Sequence, residues 1–402
     1  MENISKEILN FGKDLLPDML QYKYQFMTDN LYRFYRGTNH IFYKDLKKSH
    51  LLPSSPVSWI SGDLHLENFG SFKGDNRLVY FDLNDFDEAV LAPCIYEVVK
   101  VVTSIFIAFQ ALNIEQKKAL NMAELFLKTY SNKLIKGKAD YIERNTAKGI
   151  VCNFLTAASE RSPKELIKSR TITKNKVKLD HPKHFPLHKT LRKDLIEHIT
   201  TWLKKDEASP YNYEVIDAAF RLAGTGSVGQ KRYLFLLQSS NKAGEKLMLL
   251  DMKQSTPSCV VPYLSVKQPD WKTEADRIVS IQYKMQNKIP ALLSTSCFKK
   301  DWYVMQEMQP TEDSINFKLL KKNYRDMYQV IDDMAMLTAS SQLRSSGQQG
   351  SAIADELIEF GKDNKWQNKV LKYAIQYCSK VQQDYISFLS DYKKGVFKTK
   401  PH

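Results

Sequence analysis

An α+β fold is predicted for this chain, and two changes of texture along it predict that fold. Apolar spacing is helical over about the first 160 residues and again after Pro310, while short apolar runs bounded by turn residues fill 211–310. A third observation is a carboxylate-rich hairpin near 57–87, which interrupts the first helical stretch.

Composition sets the frame for these elements. With 402 residues, 43% hydrophobic and 11% aromatic, the chain can bury one large core or two smaller ones. Charged residues reach 26% and Gly and Pro are modest, so long disorder is not expected. A net charge of +14 favours an anionic partner such as a nucleotide or a phosphorylated molecule. Nucleic acid is disfavoured as that partner, because no recognition module accompanies the charge. Five cysteines (Cys94, Cys152, Cys259, Cys297, Cys378) lie far apart, which predicts reduced thiols and a cytoplasmic location.

The elements follow in order. The first twenty residues read as an amphipathic helix rather than a signal peptide. The run VVKVVTSIFIAFQAL (98–112) is too short to span a bilayer and is broken by Lys100 and Gln110, so a buried core helix is expected. From Lys164 to Asp194 ten Lys or Arg face only Glu165, Asp180 and Asp194, with prolines threaded through 163–210. A basic connector is therefore placed at 161–210, between a helical part (1–160) and a β-rich part (211–310). In the β-rich part, RYLFLL (232–237), KLMLLDMK (246–253) and DWYVMQEM (301–308) read as strands. A helix over 274–286 has apolar residues at Ile278, Ile281 and Met285. Residues 311–402 return to helix, with a polar loop at 345–350.

Chemistry concentrates in SWISGDLHLENFGSFKGDNRLVYFDLNDFDEA (58–89). The turn composition of Lys73-Gly74-Asp75-Asn76 folds FGSF back on RLVYF, which brings Asn68 and Asp82 together with Asp63 on the loop before. Phosphoryl transfer needs such a set: one carboxylate for the acceptor hydroxyl, and an amide oxygen and a second carboxylate for Mg2+. Asp85 and Asp87 add acceptors nearby. An acidic turn beside a hairpin is the plainer reading.

A second motif, Gly224-Thr225-Gly226-Ser227-Val228-Gly229, has the G-x-G-x-x-G pattern but is followed by a strand. A dinucleotide fingerprint requires a helix there, so a phosphate-covering hairpin fits better. Lys253, on the next strand, is placed to meet ATP phosphates, and Gln306, Glu307 and Met308 are placed as a hinge strand beside the adenine. The lysine's acidic partner is left open, Glu274 being one candidate. The catalytic-loop motif precedes the glycine loop, the reverse of a protein kinase. A protein-kinase-like two-lobe fold with motifs in circularly permuted order is the resulting expectation.

Together FYRG (34–37), GDLHLENFG (62–70), FDLNDFDEA (81–89), GTGSVG (224–229), Lys253, RIVSIQYKMQ (277–286) and DYISF (384–388) resemble the bacterial domain-of-unknown-function 2252 family, grouped with protein-kinase-like folds. GDLHLEN is also similar to the H-G-D-x-H-x-x-N loop of aminoglycoside and choline kinases. That resemblance implies Asp63 as the base and Asn68 and Asp82 as metal ligands. The chain departs from these patterns at Ser61 (histidine in the small-molecule kinases), Ser280 (glutamate in the family), SSQLR at 340–344 and Glu97 (aspartate). The expectation is an ATP- and Mg2+-dependent transfer of the γ-phosphate to an unknown hydroxyl acceptor, an anionic one being compatible with the net charge of +14.

Alternatives are a nucleotide-binding pseudokinase acting as an adaptor, and an AMP-transferring enzyme. A metallophosphoesterase would want further histidine motifs that the chain lacks. The spacing of His181, His184 and His188 could bind zinc, but prolines and the absence of cysteine argue against it.

Overall fold

The computed structural model describes residues 4–173, 176–181, 183–206, 209–224, 226–241, 246–309, 315–321 and 323–398. Helices and strands occupy the regions that the texture assigns to them, so the α+β class holds. A six-stranded antiparallel sheet runs in the order Ser294–Phe298, Asp301–Met308, Leu247–Gln254, Arg232–Ser239, Tyr213–Arg221, His184–Phe185.

Its central strands are apolar on both faces because both are covered. Phe235 and Leu237 pack with Leu195, Ile199 and Trp202 of the helix Lys189–Lys205. Leu234, Leu236 and Leu249 face the other way, against Val177 and the partly buried Leu166 and Ile167. The segment 161–210 is therefore no free connector. The helix Pro163–Arg170 packs on one face of the sheet, His184–Phe185 joins its edge, and Lys189–Lys205 covers the other face. The apolar positions Leu195, Ile199 and Trp202 outweigh the surrounding lysines once a sheet face is there to cover.

The rest of the chain forms a helical body around the helix Ile95–Ala111, which is buried on nearly all sides. Helices Gln116–Lys136 and Lys365–Lys393 pack against it. Among the described residues no helix is long and apolar enough to cross a membrane. All five cysteines are unpaired. A two-stranded and a three-stranded sheet, the latter completed by Ile142–Glu143, are set into this body. Val57–Ile60 lies antiparallel to Val90–Pro93, and Phe69–Lys73 to Val79–Leu83 with Phe69 opposite Leu83. The turn of the latter hairpin closes through the Arg77 amide donating to Gly74 O (2.9 Å), with Arg77 at φ 63°.

Candidate active site

The first strand pair sets the catalytic-loop motif in place. It ends at Ile60, and both the amide and the hydroxyl of Ser61 donate to the Glu97 carboxylate, each at 2.7 Å. Burial pushes Glu97 up to about 7 against those hydrogen bonds. Gly62 follows at φ +79°, where a Cβ would lie 2.1 Å from the carbonyl oxygen of Glu88, so only glycine fits. Asp63 comes next and meets Lys100 Nζ at 3.1 Å. Lys100 is completely buried, its ammonium 4.0 Å and 4.6 Å from the Tyr35 and Phe42 ring centroids. Burial raises Asp63 to about 6, with Lys100 pulling it down and Glu88 pushing it up.

His65 lies beneath this loop, and burial together with Arg36 holds its imidazole well below the ordinary value. Arg36 Nε lies 3.1 Å from His65 Nε2, and His65 Nδ1 faces both the Glu67 amide at 3.2 Å and the Tyr32 hydroxyl at 3.3 Å. Arg36 also pairs with Glu67. Asn68 Nδ2 donates to the Asp63 carbonyl at 2.9 Å, which leaves its Oδ1 as the atom able to accept or ligate.

The carboxylates separate into two groups. Asp82 stands opposite Gly70 in the hairpin and is buried, with Oδ1 accepting from the Leu83 amide at 2.9 Å. Burial raises it to about 6, and Arg344 offsets part of that rise. Asp82 does not line the cleft; Asp85 and Asp87 do. Lys253 is in contact with Asp87, and Asp85 lies 3.8 Å from its Nζ. Burial opposes ionisation of Asp85, but Lys253, the Asp87 amide and Arg232 outweigh it and hold the carboxyl below its usual range. Asp87 is shifted upward by burial and by Asp85.

The acidic partners of Lys253 are thus Asp87 and Asp85. Glu274 instead holds Arg277 Nε at 2.6 Å. The guanidinium of Arg277, buried, donates to the carbonyls of Ala89 (2.6 Å), Asp87 (2.8 Å) and Thr256 (3.1 Å). It therefore fixes the path of the 85–89 loop.

The glycine loop joins the strands Tyr213–Arg221 and Arg232–Ser239. Gly224 (φ +74°) and Gly229 (φ +103°) use left-handed backbone, while Thr225 lies outside the described residues. The loop is tied to the N-terminal segment. Lys23 Nζ donates to Gly226 O at 2.6 Å, Leu16 N donates to Gly229 O at 2.8 Å, and a Cβ on Gly229 would come within 2.8 Å of Leu15. A Cβ on Gly226 would lie 3.8 Å from Asp63 Oδ2, so the loop tip sits directly over the catalytic-loop aspartate. Gly224 and Ser227 line the cleft; Val228 is buried.

Asn68, Asp85, Asp87, Lys253, Gly224 and Ser227 share one cavity of about 640 Å³, and Asp63 lines a smaller one beside it. Arg36 also lines the larger cavity, as do Phe72, Ile278, Gln306, Glu307, Met308 and Val304, the last directly across the ladder from Lys253, and the Glu307 amide already donates to Ala291 O at 2.9 Å. Arg161, Leu166 and Arg170, from the segment read as a connector, line it too. Asp251 accepts from Arg221 and Arg232, both at 2.6 Å, and those guanidiniums overcome its burial and hold it far below the usual carboxylate range. The histidine cluster does not assemble. His181 meets the Tyr22 hydroxyl at 2.6 Å and His184 pairs with Asp180. Among the described residues no three His, Cys, Asp or Glu side chains converge as a metal cage.

Sequence reasoning missed Lys23, Lys100 and Arg277. The signal for Lys100 was visible as a lone cation inside an apolar helix, which must find a counter-charge to be tolerated.

The molecule is thus an α+β protein with a charged cleft between a six-stranded sheet and a helical body. A family model described as an uncharacterized protein conserved in bacteria (DUF2252) matches residues 15–391, and the chain belongs to that family. No curated protein and no solved structure matches it.

Proposed function

We propose that the protein is a Mg2+- and ATP-dependent phosphotransferase with a kinase-like two-lobe build, its motifs circularly permuted. The observation that carries this reading is the meeting of Lys253 with Asp87 and Asp85 in a cavity that Asn68 and the glycine loop also line. Support comes from the sheet, where the lysine strand lies between the glycine-loop hairpin and the strand 301–308.

The donor set suits magnesium. Asn68 Oδ1 and the Asp85 carboxylate are hard oxygens, and an octahedral ion is commonly completed by substrate phosphates rather than by a full protein cage. Asp85 takes the ligand role that the hairpin logic gave to Asp82, since Asp82 is outside the cavity. When bound, the ion supplies positive charge to the phosphate oxygens. Lys253 holds the phosphates as Asp87 releases it, and the glycine loop covers them. Asp63, raised to about 6 and oriented by Lys100, is poised near neutral pH to take the acceptor's proton.

The test is a thermal shift with MgATP followed by product analysis. MgATP raises Tm in the intact chain, and Lys253→Met removes most of the gain. Asp63→Asn keeps the shift and loses ADP formation. Absence of any shift in the unaltered protein sinks the reading. Binding without ADP identifies a pseudokinase, and pyrophosphate in place of ADP identifies AMP transfer.

A further inference from the structure

Beside the main cavity, sharing Arg36, Asp85, Asp87 and Ser227 with it, lies a smaller chamber of about 40 Å³ lined by Asp63 and by Gly226 of the glycine loop. That volume holds roughly three water-sized groups. Asn39 and His40 also line it. Both are more than nine-tenths buried, yet Asn39 Oδ1 and both ring nitrogens of His40 have no hydrogen-bond partner. The Nδ2 of Asn39 is spent on Gly62 O at 3.1 Å, and the His40 ring stacks on Phe11 at 3.9 Å, which occupies its face and leaves its edge open.

Unpaired buried polar atoms are costly, and three of them on two side chains that line one small chamber with Asp63 point to a place for a ligand's own polar atoms. Burial, with Lys23 and Lys100 nearby, lowers His40 to about 3, so the ring is neutral and offers one donor and one acceptor. Asn39 Oδ1 adds an acceptor. A hydroxyl can accept from the ring N–H or donate to one of the two acceptors, whereas an ionised phosphate or carboxylate has no proton to give to either acceptor. Charge agrees: Asp63, Asp85, Asp87 and Glu88 line the chamber against Lys23 and Arg36, which disfavours a second anion.

Resting on the phosphotransferase reading, we propose that this chamber is the acceptor subsite and takes the end of an uncharged polyol or sugar. One aliphatic hydroxyl lies at Asp63 and its neighbouring hydroxyl is read by His40 and Asn39. The hydroxyl oxygen bonds to the γ-phosphorus as the bond from that phosphorus to the β–γ bridging oxygen breaks. The hydroxyl proton passes to Asp63, and the electron pair leaves with ADP.

The experiment measures ADP release and product mass with the full chain, MgATP, and either glycerol, erythritol, 1-propanol or a serine peptide. Glycerol and erythritol stimulate ADP release above the water background, and 1-propanol is at least about tenfold poorer in kcat/KM, the scale of one lost hydrogen bond. His40→Phe keeps the stack on Phe11 and raises the glycerol KM about tenfold with MgATP affinity unchanged. Cys259→Leu, filling the chamber from another wall, abolishes polyol stimulation and keeps the MgATP shift. The proposal is overturned if 1-propanol or the serine peptide matches glycerol, or if both variants leave the glycerol KM unaltered. It is also overturned if MgATP binds and no polyol stimulates, a result that leaves the nucleotide site standing. Loss of MgATP binding itself removes the phosphotransferase reading first.

Discussion

Two aspartates three positions apart, Asp82 and Asp85, have opposite surroundings, and this difference makes them separable by substitution. Asp82 is buried, its Oδ1 on the Leu83 amide, and is not among the residues lining the cavity, whereas Asp85 lines it. Asp82→Asn therefore keeps the MgATP thermal shift, whereas Asp85→Asn removes most of it. Equal loss in both variants would return the metal role to Asp82. A second residue-scale prediction concerns Asp251, which neutralises Arg221 and Arg232 within the sheet. Asp251→Asn leaves two largely buried guanidiniums short of charge and costs about 3–5 kcal/mol at pH 7. The sign with pH follows from its depressed proton affinity. The stabilisation is complete above the free-chain value of about 4 and fades as pH falls through the lower folded value. Urea melts of both proteins should differ at pH 7 and converge toward pH 2; a constant gap would refute the linkage.

At the scale of elements, the N-terminal segment and the glycine loop act as a unit. Lys23 is buried with its ammonium on Gly226 O, and burial drives it down to about 8. Holding that charge inside costs free energy, which the folded state recovers as pH rises from 8 toward 10.5. Lys23→Met is therefore expected to leave Tm unchanged or higher while freeing the loop. Hydrogen exchange at 223–230 should accelerate at least about tenfold, as loss of one charge-assisted hydrogen bond implies. Unchanged protection would mean that Leu15 and Leu16 alone fix the loop.

Elements were also where the sequence was most legible. The strand Asp301–Met308 and the helix Glu274–Met285 have the expected limits within a residue, because alternation and 3.6-residue spacing report local burial. The site was legible in that Asp63 and Asn68 fall on one loop at the start of the hairpin, where Asn68 Nδ2 donates to Asp63 O. It was not legible where distant segments meet. Asp87 is aimed at Lys253 by Arg277, which grips its carbonyl from 190 residues away, and no local pattern encodes that bond. Side-chain direction also flips at every strand residue, so folding the hairpin brought Asp82 back beside the strand that starts after Asn68, where it stands opposite Gly70, without saying which way its carboxylate faces. The basic run at 161–210 misled for a related reason. Its charge is solvated outward, while Leu166, Ile167 and Trp202 face long strands that begin only at 213.

At the scale of the whole molecule, 402 residues exceed the size at which two-state unfolding is the default. The bonds between the sheet and the helical body nevertheless predict a single transition. The hairpin tip docks on the sheet edge, with Lys73 N donating to the Gln309 side chain at 2.7 Å and Ala291 N to Lys73 O at 3.1 Å. Ser258 and Cys259 donate to the Glu88 carboxylate at 2.9 and 2.7 Å, and Arg277 reaches the 87–89 carbonyls from the other side. Most of these are buried or partly buried, and opening the cleft would strand several at once, at about 1–3 kcal/mol each. Neither part can then unfold while the other keeps its partners satisfied. Tryptophan gives a probe on each side. Trp202 packs against the sheet, and Trp59 and Trp366 are buried in the helical body. Single-tryptophan variants carrying Trp202 or Trp366, with the other four replaced by Phe, should share one urea midpoint. MgATP, binding residues from both parts, should move the two midpoints upward together. An earlier transition reported by Trp202 alone would show that the sheet is an independent unit, and that the cleft is a hinge between two domains rather than a seam within one.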